Sequence, residues 1–273
     1  MKRFVFVTVL CVCFGCGEKT ISVSNEGVFD NDTVVAEDIV SMLRHNTAVS
    51  LKHKVISSCL NFVDVSGDTD YESVYINDPI CFVNCVFLDS VRAFDSNRYC
   101  VFNKKVCFNQ CEFKSGICFR QSDFRDKFRI DLSRIEGKSD FASAVFRGSA
   151  DFTSVNFMDN ALFLCNVFLM DACFRKSLFK RSALFQHSQF ANGVSFEDSY
   201  FYGYTEFSVV NVGYEADFQH CTFAGNAYFI KSLFLRELIL EGCCFRHGLE
   251  FQDNITLAKI LKDDTAKINI ITN

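Results

Sequence analysis

The sequence has a single proline, Pro79, and no tryptophan among its 273 residues. A globular domain of this length usually has several prolines in its loops, so other residues must form the turns here. The sequence also lacks a surplus of Lys and Arg, since its formal net charge is −5. Because contacts with phosphates need clustered positive charge, a nucleic-acid-binding surface is not expected.

Phenylalanine is abundant instead, with 33 copies. From Phe102 to Phe251 an apolar residue recurs alternately after six and five residues, and 24 of these 28 positions are Phe. An α-helix would need spacings of three and four, and a flat antiparallel sheet would need a hairpin turn about every 8–12 residues. A fixed period over so long a stretch is typical of a repeat architecture, in which each unit packs on its neighbours.

Small residues precede most of these apolar positions by two. Because side chains alternate along a strand, both residues should point inward, and only a small one fits beside a stack of rings. The residues at these earlier positions are Ala144, Ala150, Val155, Ala161, Ala172, Ser177, Ala183, Ser188, Val194, Ser199, Ala216, Cys221 and Ala227.

Units such as ADFTSVNFMDNALF and SALFQHSQFANGVSF resemble the eleven-residue variant of the pentapeptide-repeat family, over residues 76–251. The resemblance implies an all-β fold, a right-handed quadrilateral β-helix. Four sides per turn give 22 residues per coil and about seven coils, at a strand spacing of about 4.8 Å. A two-sided solenoid with eleven residues per coil is the alternative. In the four-sided form one column contains Phe141, Phe163, Phe185, Phe207, Phe229 and Phe251.

The sixth residue of alternate units coincides with residues that form turns. We expect left-handed or bulged backbone at these positions, because glycine and asparagine tolerate it. The positions are Gly148, Asp159, Asn160, Asn192, Gly193, Gly203, Gly213, Gly225, Asn226 and Gly248.

Residues 1–15 have the layout of an export signal, since Lys2 and Arg3 precede an apolar run that is too short to span a bilayer. Gly15-Cys16 resembles a bacterial lipobox, which implies that Cys16 is lipidated and becomes the mature N-terminus. Cys13 stands where a leucine is usual, and an ordinary cleaved signal is the alternative. We therefore expect an exported protein, either anchored to a membrane by lipid or free in the periplasm or outside the cell.

The rest of the chain divides into four segments. The sequence predicts a linker over 16–31, an N-terminal helix and cap over 32–55, the solenoid over 56–251, and a C-terminal cap or tail over 252–273. Asp32 or Thr33 should cap the helix. Residues 66–79 read as a surface loop, and the register shifts by about one residue between Phe87 and Phe102.

Of the fifteen cysteines, twelve follow Cys16. Cys221 and Cys243 are 22 residues apart and should be vertical neighbours. Both free thiols and a disulfide fit that arrangement. The motifs CFVNC and CFNQC have a spacing that zinc sites tolerate, but the repeat itself produces this spacing and no histidine accompanies it, so no metal or cofactor is expected. Their first cysteines, Cys81 and Cys107, should point outward.

Tyr200, Tyr202, Tyr204 and Tyr214 are expected along one edge, where they would bind a sugar or a protein, or simply pack over the turns. The five histidines occur singly, and nucleophile-elbow and nucleotide-binding glycine motifs are missing from the sequence, so an enzyme is not expected.

The function expected from these features is a non-enzymatic structural or interaction module at the cell envelope, with an envelope protein or a glycan as partner. The family resemblance offers an alternative, a DNA mimic that acts on DNA gyrase, which needs a cytoplasmic location and a continuous acidic stripe. A polysaccharide-degrading β-helix is a third hypothesis, and it would need a cluster of carboxylates.

Overall fold

The computed structural model describes residues 33–67, 72–257 and 259–262. The chain winds as a solenoid whose parallel strands form four sheets, and each full coil adds one strand to every sheet. Within these ranges two sheets have ten strands and two have nine. The predicted four-walled, all-β solenoid is confirmed, and it has more coils than the seven that the phenylalanine period alone indicated. We number the sheets as walls 1 to 4, in the order in which a coil visits them.

Walls 1 and 2 consist mostly of two-residue strands. The strands of wall 1 are Thr33–Val34, Val55–Ile56, Val86–Phe87, Glu112–Phe113, Arg134–Ile135, Asn156–Phe157, Leu178–Phe179, Tyr200–Phe201, Thr222–Phe223 and Cys244–Phe245. The strands of wall 2 are Leu60–Asn61, Val91–Arg92, Ile117–Cys118, Ser139–Asp140, Ala161–Leu162, Ala183–Leu184, Thr205–Glu206, Asn226–Ile230 and Gly248–Gln252.

Walls 3 and 4 follow the same plan. The strands of wall 3 are Ser73–Ile76, Tyr99–Phe102, Asp123–Phe124, Val145–Phe146, Val167–Phe168, Gln189–Phe190, Asn211–Val212, Leu233–Phe234 and Ile255–Thr256. The strands of wall 4 are Val49–Lys52, Ile80–Val83, Val106–Asn109, Phe128–Asp131, Ala150–Asp151, Ala172–Cys173, Val194–Ser195, Ala216–Asp217, Leu238–Ile239 and Ile260–Leu261.

The interior is filled by columns of phenyl rings with a 22-residue repeat, which rules out the two-sided alternative. Phe163 stacks on Phe141 and Phe185, with ring centroids 5.0 Å apart in both pairs. Rings of wall 4 meet this column edge to face, at 5.2 Å for Phe152 and 5.1 Å for Phe174. These spacings fit the stacked and T-shaped geometries that aromatic pairs favour. The small residues predicted to point inward are all buried.

Two kinds of corner join the walls. On the five-residue sides, one residue per corner adopts the left-handed conformation, and such residues recur every eleven positions. They include Gln110, Gln121, Leu132, Ser143, Ser154, Cys165, Lys176, His187, Asp198, Val209, His220, Lys231, Gly242 and Asp253.

The prediction of left-handed backbone at the extra residue of the six-residue sides is wrong. None of the ten turn-forming residues named for it, all inside the described ranges, has a positive φ. Two of these glycines instead allow neighbouring coils to approach each other closely. A Cβ on Gly203 would lie 2.5 Å from the carbonyl oxygen of Arg181, and one on Gly213 would lie 2.3 Å from that of Ala191. The corner therefore accommodates the extra residue without a positive φ at any of these ten positions.

The described part of the chain has one α-helix, Ala36–Arg44, which packs against the strand Leu60–Asn61 and the 3-10 helix Phe62–Val65. Its apolar face, which includes Ile39, joins the core of the solenoid. This arrangement shields the first coil, as a cap must.

The predicted helix cap is wrong. Thr33 lies in a wall 1 strand, and the residue that precedes the helix is Val35. The backbone N–H of Ala36 instead donates to the hydroxyl of Ser58, at 3.2 Å. Asp32, the other predicted cap, lies outside the described residues.

The solenoid extends beyond its predicted boundaries of 56 and 251. Wall strands begin at Thr33, inside the predicted cap, and continue to Leu261, inside the predicted tail. The predicted loop over 66–79 contains the strand Ser73–Ile76, which pairs with Tyr99–Phe102. Pairing with the neighbouring coil makes Ser73–Ile76 a strand, and local sequence pattern alone does not reveal such pairing.

The irregularity before Phe102 is an insertion of four residues, larger than the shift of one that the sequence indicated. Ile80 pairs with Val106, which is 26 residues further on, whereas Val106 pairs with Phe128 at the usual 22. The extra residues leave the wall between Phe94 and Tyr99, which form an antiparallel bridge. The sequence concealed the insertion because Ala93 replaces a ring at the inward position and is fully buried.

Candidate interaction surface

Tyr200, Tyr202 and Tyr204 lie on the outside of the solenoid, along the edge between walls 1 and 2. Strand alternation places Tyr200 outward, because its neighbour Phe201 is buried. Tyr202 and Tyr204 flank Gly203, where the chain passes close to the preceding coil, and their side chains are 44% and 41% exposed. This edge therefore presents large aromatic surfaces to solvent.

Cations border the first two rings. The ring centroids of Tyr200 and Tyr202 are 4.3 Å apart. The ammonium nitrogen of Lys180 lies 3.9 Å from the centroid of Tyr202, and the guanidinium carbon of Arg246 lies 5.8 Å from that of Tyr200. Both cations are within the range of cation–π attraction. Lys180 belongs to the preceding coil, whereas Arg246 lies two coils further along and reaches back to Tyr200.

Tyr204 pairs with a ring that the sequence analysis missed. Its ring centroid lies 5.0 Å from that of Tyr228, which sits on wall 2 opposite Glu206 in the strand register. The hydroxyl of Tyr204 donates to the carboxylate of Glu206. Partial burial, followed by this hydrogen bond to the Glu206 carboxylate, raises the pKa of Tyr204 well above its usual range. The phenol therefore stays protonated, and its O–H is hydrogen-bonded to the Glu206 carboxylate. The 22-residue register, which pairs position 206 with 228, is the signal that would have found Tyr228.

Tyr214 does not belong to this group. It lies at the corner between walls 3 and 4, which is not adjacent to the edge between walls 1 and 2. Arg236 approaches its ring at 5.9 Å. Residue 214 is close to 204 in sequence, but the ten residues between them carry the chain past two corners, half of one coil. We therefore define the tyrosine cluster as Tyr200, Tyr202, Tyr204 and Tyr228.

Cys221 and Cys243 are both buried at the corner between walls 4 and 1, and the structure has no disulfide between them. The thiol of Cys221 donates to the carbonyl of Phe196 at 2.9 Å, and that of Cys243 donates to the carbonyl of Phe218 at 2.8 Å. Each thiol thus satisfies a backbone oxygen of the preceding coil. A disulfide between the two stays a prediction, and it would cost both hydrogen bonds.

Charges on the walls are interspersed. Arg147 pairs with Asp123 at 2.8 Å, and Arg134 pairs with Glu136 at 2.7 Å. Among the described residues, no group of three or more His, Cys, Asp or Glu is arranged to hold a metal ion. The same part of the chain has no helix of the length and apolarity needed to cross a membrane. The candidate lipidation site, Cys16, and the predicted signal and linker lie outside it.

Comparison with protein families gave one match. A family model described as pentapeptide repeats, with nine copies of the repeat, matches residues 210–253. No curated protein and no solved structure matched the chain. The matched segment covers two coils near the C-terminal end, and the same 22-residue register runs through the coils before it. The repeat match over residues 210–253 and the four-walled parallel solenoid together support the assignment of the chain to the pentapeptide-repeat family.

Proposed function

We propose that this chain is an exported, non-enzymatic module at the bacterial cell envelope, where it binds a partner protein through the tyrosine cluster. The observation that carries the proposal is the set of exposed tyrosines on one edge of a solenoid whose interior is already filled by its own rings. Because packed rings fill the core of the described coils, we expect recognition on the outer walls.

The composition of the edge favours a protein partner. Tyr and Arg are enriched in protein interfaces and dominate their binding energy. A sugar ring would need an open aromatic face to stack on, but Lys180 lies over Tyr202, and Tyr204 packs against Tyr228. The amphipathic tyrosines and the flanking cations instead suit a surface that mixes apolar and acidic groups.

Export and anchoring are proposed from residues 1–16. The basic start, the short apolar run and Cys16 are the supporting features. A single lipid chain gives only marginal membrane binding, whereas the several acyl chains of a lipoprotein anchor hold firmly. The interspersed ion pairs of the walls do not favour the alternative of a DNA mimic, because such a mimic needs a continuous row of carboxylates.

Binding is tested by chemical cross-linking in envelope preparations, followed by mass spectrometry. The Tyr202→Ala/Tyr204→Ala double variant should lose the partner that the wild type captures. Tyr214→Ala, which removes an even more exposed ring from another edge, is the control and should retain it. Equal capture by all three proteins would refute the tyrosine cluster as the contact surface.

Location is tested by cell fractionation with detergent partitioning of the wild type and of Cys16→Ala. The wild type should partition with the detergent phase, and the variant should not. If both proteins remain in the cytosol, the export premise is lost. A DNA gyrase supercoiling assay with the purified chain then becomes the decisive test of the alternative.

A further inference from the structure

Two cysteine motifs lie side by side on wall 4, on the coils that flank the four-residue insertion. CFVNC begins at Cys81 and CFNQC begins at Cys107, and the strand register pairs Cys81 with Cys107 directly. Neighbouring strands are about 4.8 Å apart, which lies inside the range of Cα separations that a disulfide spans. Both thiols face outward and are half-buried. The insertion produces this pairing, since 26 residues separate the two cysteines.

The surroundings prepare one of the two sulfurs for attack. The thiols of Cys81 and Cys107 are hydrogen-bonded to each other, and Lys105, Lys52 and Arg129 lie close enough to favour negative charge. The hydrogen bond with Cys107, opposed by burial and helped by these cations, lowers the pKa of Cys81 to about 6. The same hydrogen bond raises the pKa of Cys107. Cys81 is therefore the thiolate near neutral pH, and Cys107 retains its proton.

We propose that Cys81 and Cys107 form a redox-active pair that closes to an intercoil disulfide by exchange with a small-molecule disulfide such as oxidised glutathione. In the first step the sulfur of Cys81 attacks one glutathione sulfur, the glutathione disulfide breaks, and the departing thiolate takes a proton from water. In the second step Cys107 gives its proton to solvent and its sulfur attacks that of Cys81, releasing the second glutathione. Two protein thiols and one disulfide thus become one protein disulfide and two thiols.

The neighbouring cysteine pairs are poorer candidates. Cys85 and Cys111 occupy the next inward position on the same coils, where both are buried and donate to backbone carbonyls. Cys221 and Cys243 are likewise buried and hydrogen-bonded to carbonyls. Thiols hidden from solvent react slowly with a small disulfide. Cys81 and Cys107 are only half-buried, so this restriction is weaker for them.

The bond would cross-link the two coils on either side of the four-residue insertion. It closes the coil that carries the excursion between Phe94 and Tyr99. Cross-linking a loop of this size restricts the unfolded chain, so oxidation should raise the midpoint of thermal unfolding by about 4 °C or more. The stability of the protein would then depend on the ratio of thiols to disulfides in its compartment.

The test uses the full chain, equilibrated in buffers with different ratios of reduced to oxidised glutathione, then acid-quenched, alkylated and mapped by mass spectrometry. A peptide linked through Cys81 and Cys107 should accumulate in the wild type and in Cys118→Ser. Cys118 is the matched control because it is also half-buried, and its partners in the register are Arg92 and Asp140. Cys107→Ser should stop at a mixed disulfide, with one glutathione on Cys81.

Alkylation of the wild type provides a second measurement that needs no variant. At pH 7 iodoacetamide should modify Cys81 at least about tenfold faster than Cys118, whose pKa is raised by burial. The proposal is overturned if the linked peptide is missing at the most oxidising ratio, if Cys85 and Cys111 link first, or if Cys81 reacts no faster than Cys118.

Discussion

Ser199 donates its hydroxyl to the carbonyl of Phe174, 25 residues earlier, at 2.7 Å. The hydroxyl oxygen of Ser199 also accepts a hydrogen bond from the backbone N–H of Ser177, at 3.1 Å. Ser177 in turn donates to Phe152 and accepts from Val155, so one hydroxyl per coil repeats the arrangement. Buried corners leave backbone groups without ladder partners, and an unpaired buried group is costly. This column of small polar side chains therefore supplies the hydrogen bonds that the ladders cannot.

Replacing Ser199 by alanine should destabilise the solenoid by about 1–3 kcal/mol, because a buried donor and a buried acceptor both lose their partner. Ser199→Cys should cost less, since Cys221 occupies the next position of the column and donates to Phe196 in the same way. Urea unfolding followed by far-UV circular dichroism measures both. Ser195→Ala, which removes a hydroxyl bonded to Asp217 on the half-exposed face of wall 4, is the control and should change stability less. Equal losses for Ser199→Ala and Ser195→Ala would contradict the role of the column.

The interior of the fold was predictable from sequence because one physical requirement, the burial of a large apolar residue on every side, repeats from Phe102 to Phe251. The corners were not, because backbone conformation there depends on contacts between coils. Val209 has a φ of 57°, although a β-branched residue rarely adopts that region, and no local signal marks it. The size of the insertion at Phe94 was underestimated for the same reason, since only strand pairing reveals which residues leave the wall.

Val209→Asn should stabilise the protein by about 1 kcal/mol. Asparagine tolerates the left-handed region that strains valine, and Val209 is 39% exposed, so little apolar contact is lost. Its backbone N–H donates to Ile230 in either case. Asn84 already occupies an equivalent corner position with a φ of 52°. The measurement is the midpoint of thermal unfolding, with Val145→Asn as a control on a strand, where the same exchange should destabilise. A lower midpoint for Val209→Asn would show that its side chain matters more than its backbone.

Phe163→Ala should destabilise by about 3–5 kcal/mol, because the ring is fully buried between Phe141 and Phe185 and its loss leaves a cavity. Phe163→Leu should cost less, since an aliphatic residue stands at the inward positions Val212 and Leu240. Leu169→Ala, on an exposed side chain, should stay within about 0.5 kcal/mol of the wild type in the same urea titration. A loss for Leu169→Ala as large as that for Phe163→Ala would mean that the outer wall carries the stability.

The candidate site was only partly predictable. Strand alternation correctly placed Tyr200 outside, and Tyr202 and Tyr204 follow from the turn that contains Gly203. Tyr214 was grouped with them by nearness in sequence, but a coil of 22 residues carries a stretch of ten residues halfway around the solenoid. Tyr228 joins the cluster because it stacks above Glu206. Residues that form a surface site on a solenoid come from the same side of successive coils. Predicting such a site therefore requires both the length of the repeat and the position of every insertion.

Glu215→Gln should stabilise the protein at pH 7 but not at pH 4. Partial burial, and then the negative charges of Asp217 and Glu237, raise the pKa of Glu215 above its usual 4.5. A carboxyl group whose pKa is raised by folding contributes fully to stability below its unfolded pKa, and the contribution is lost as the pH rises through the folded value. Glutamine removes the charge and with it this cost, so the gain in unfolding midpoint over the wild type should appear above about pH 5 and grow towards neutrality. Glu112→Gln is the control, because that carboxylate pairs with Lys114 and its removal should give no gain at pH 7. If the two variants respond alike across the pH series, the repulsion among Glu215, Asp217 and Glu237 is not what limits stability at this corner.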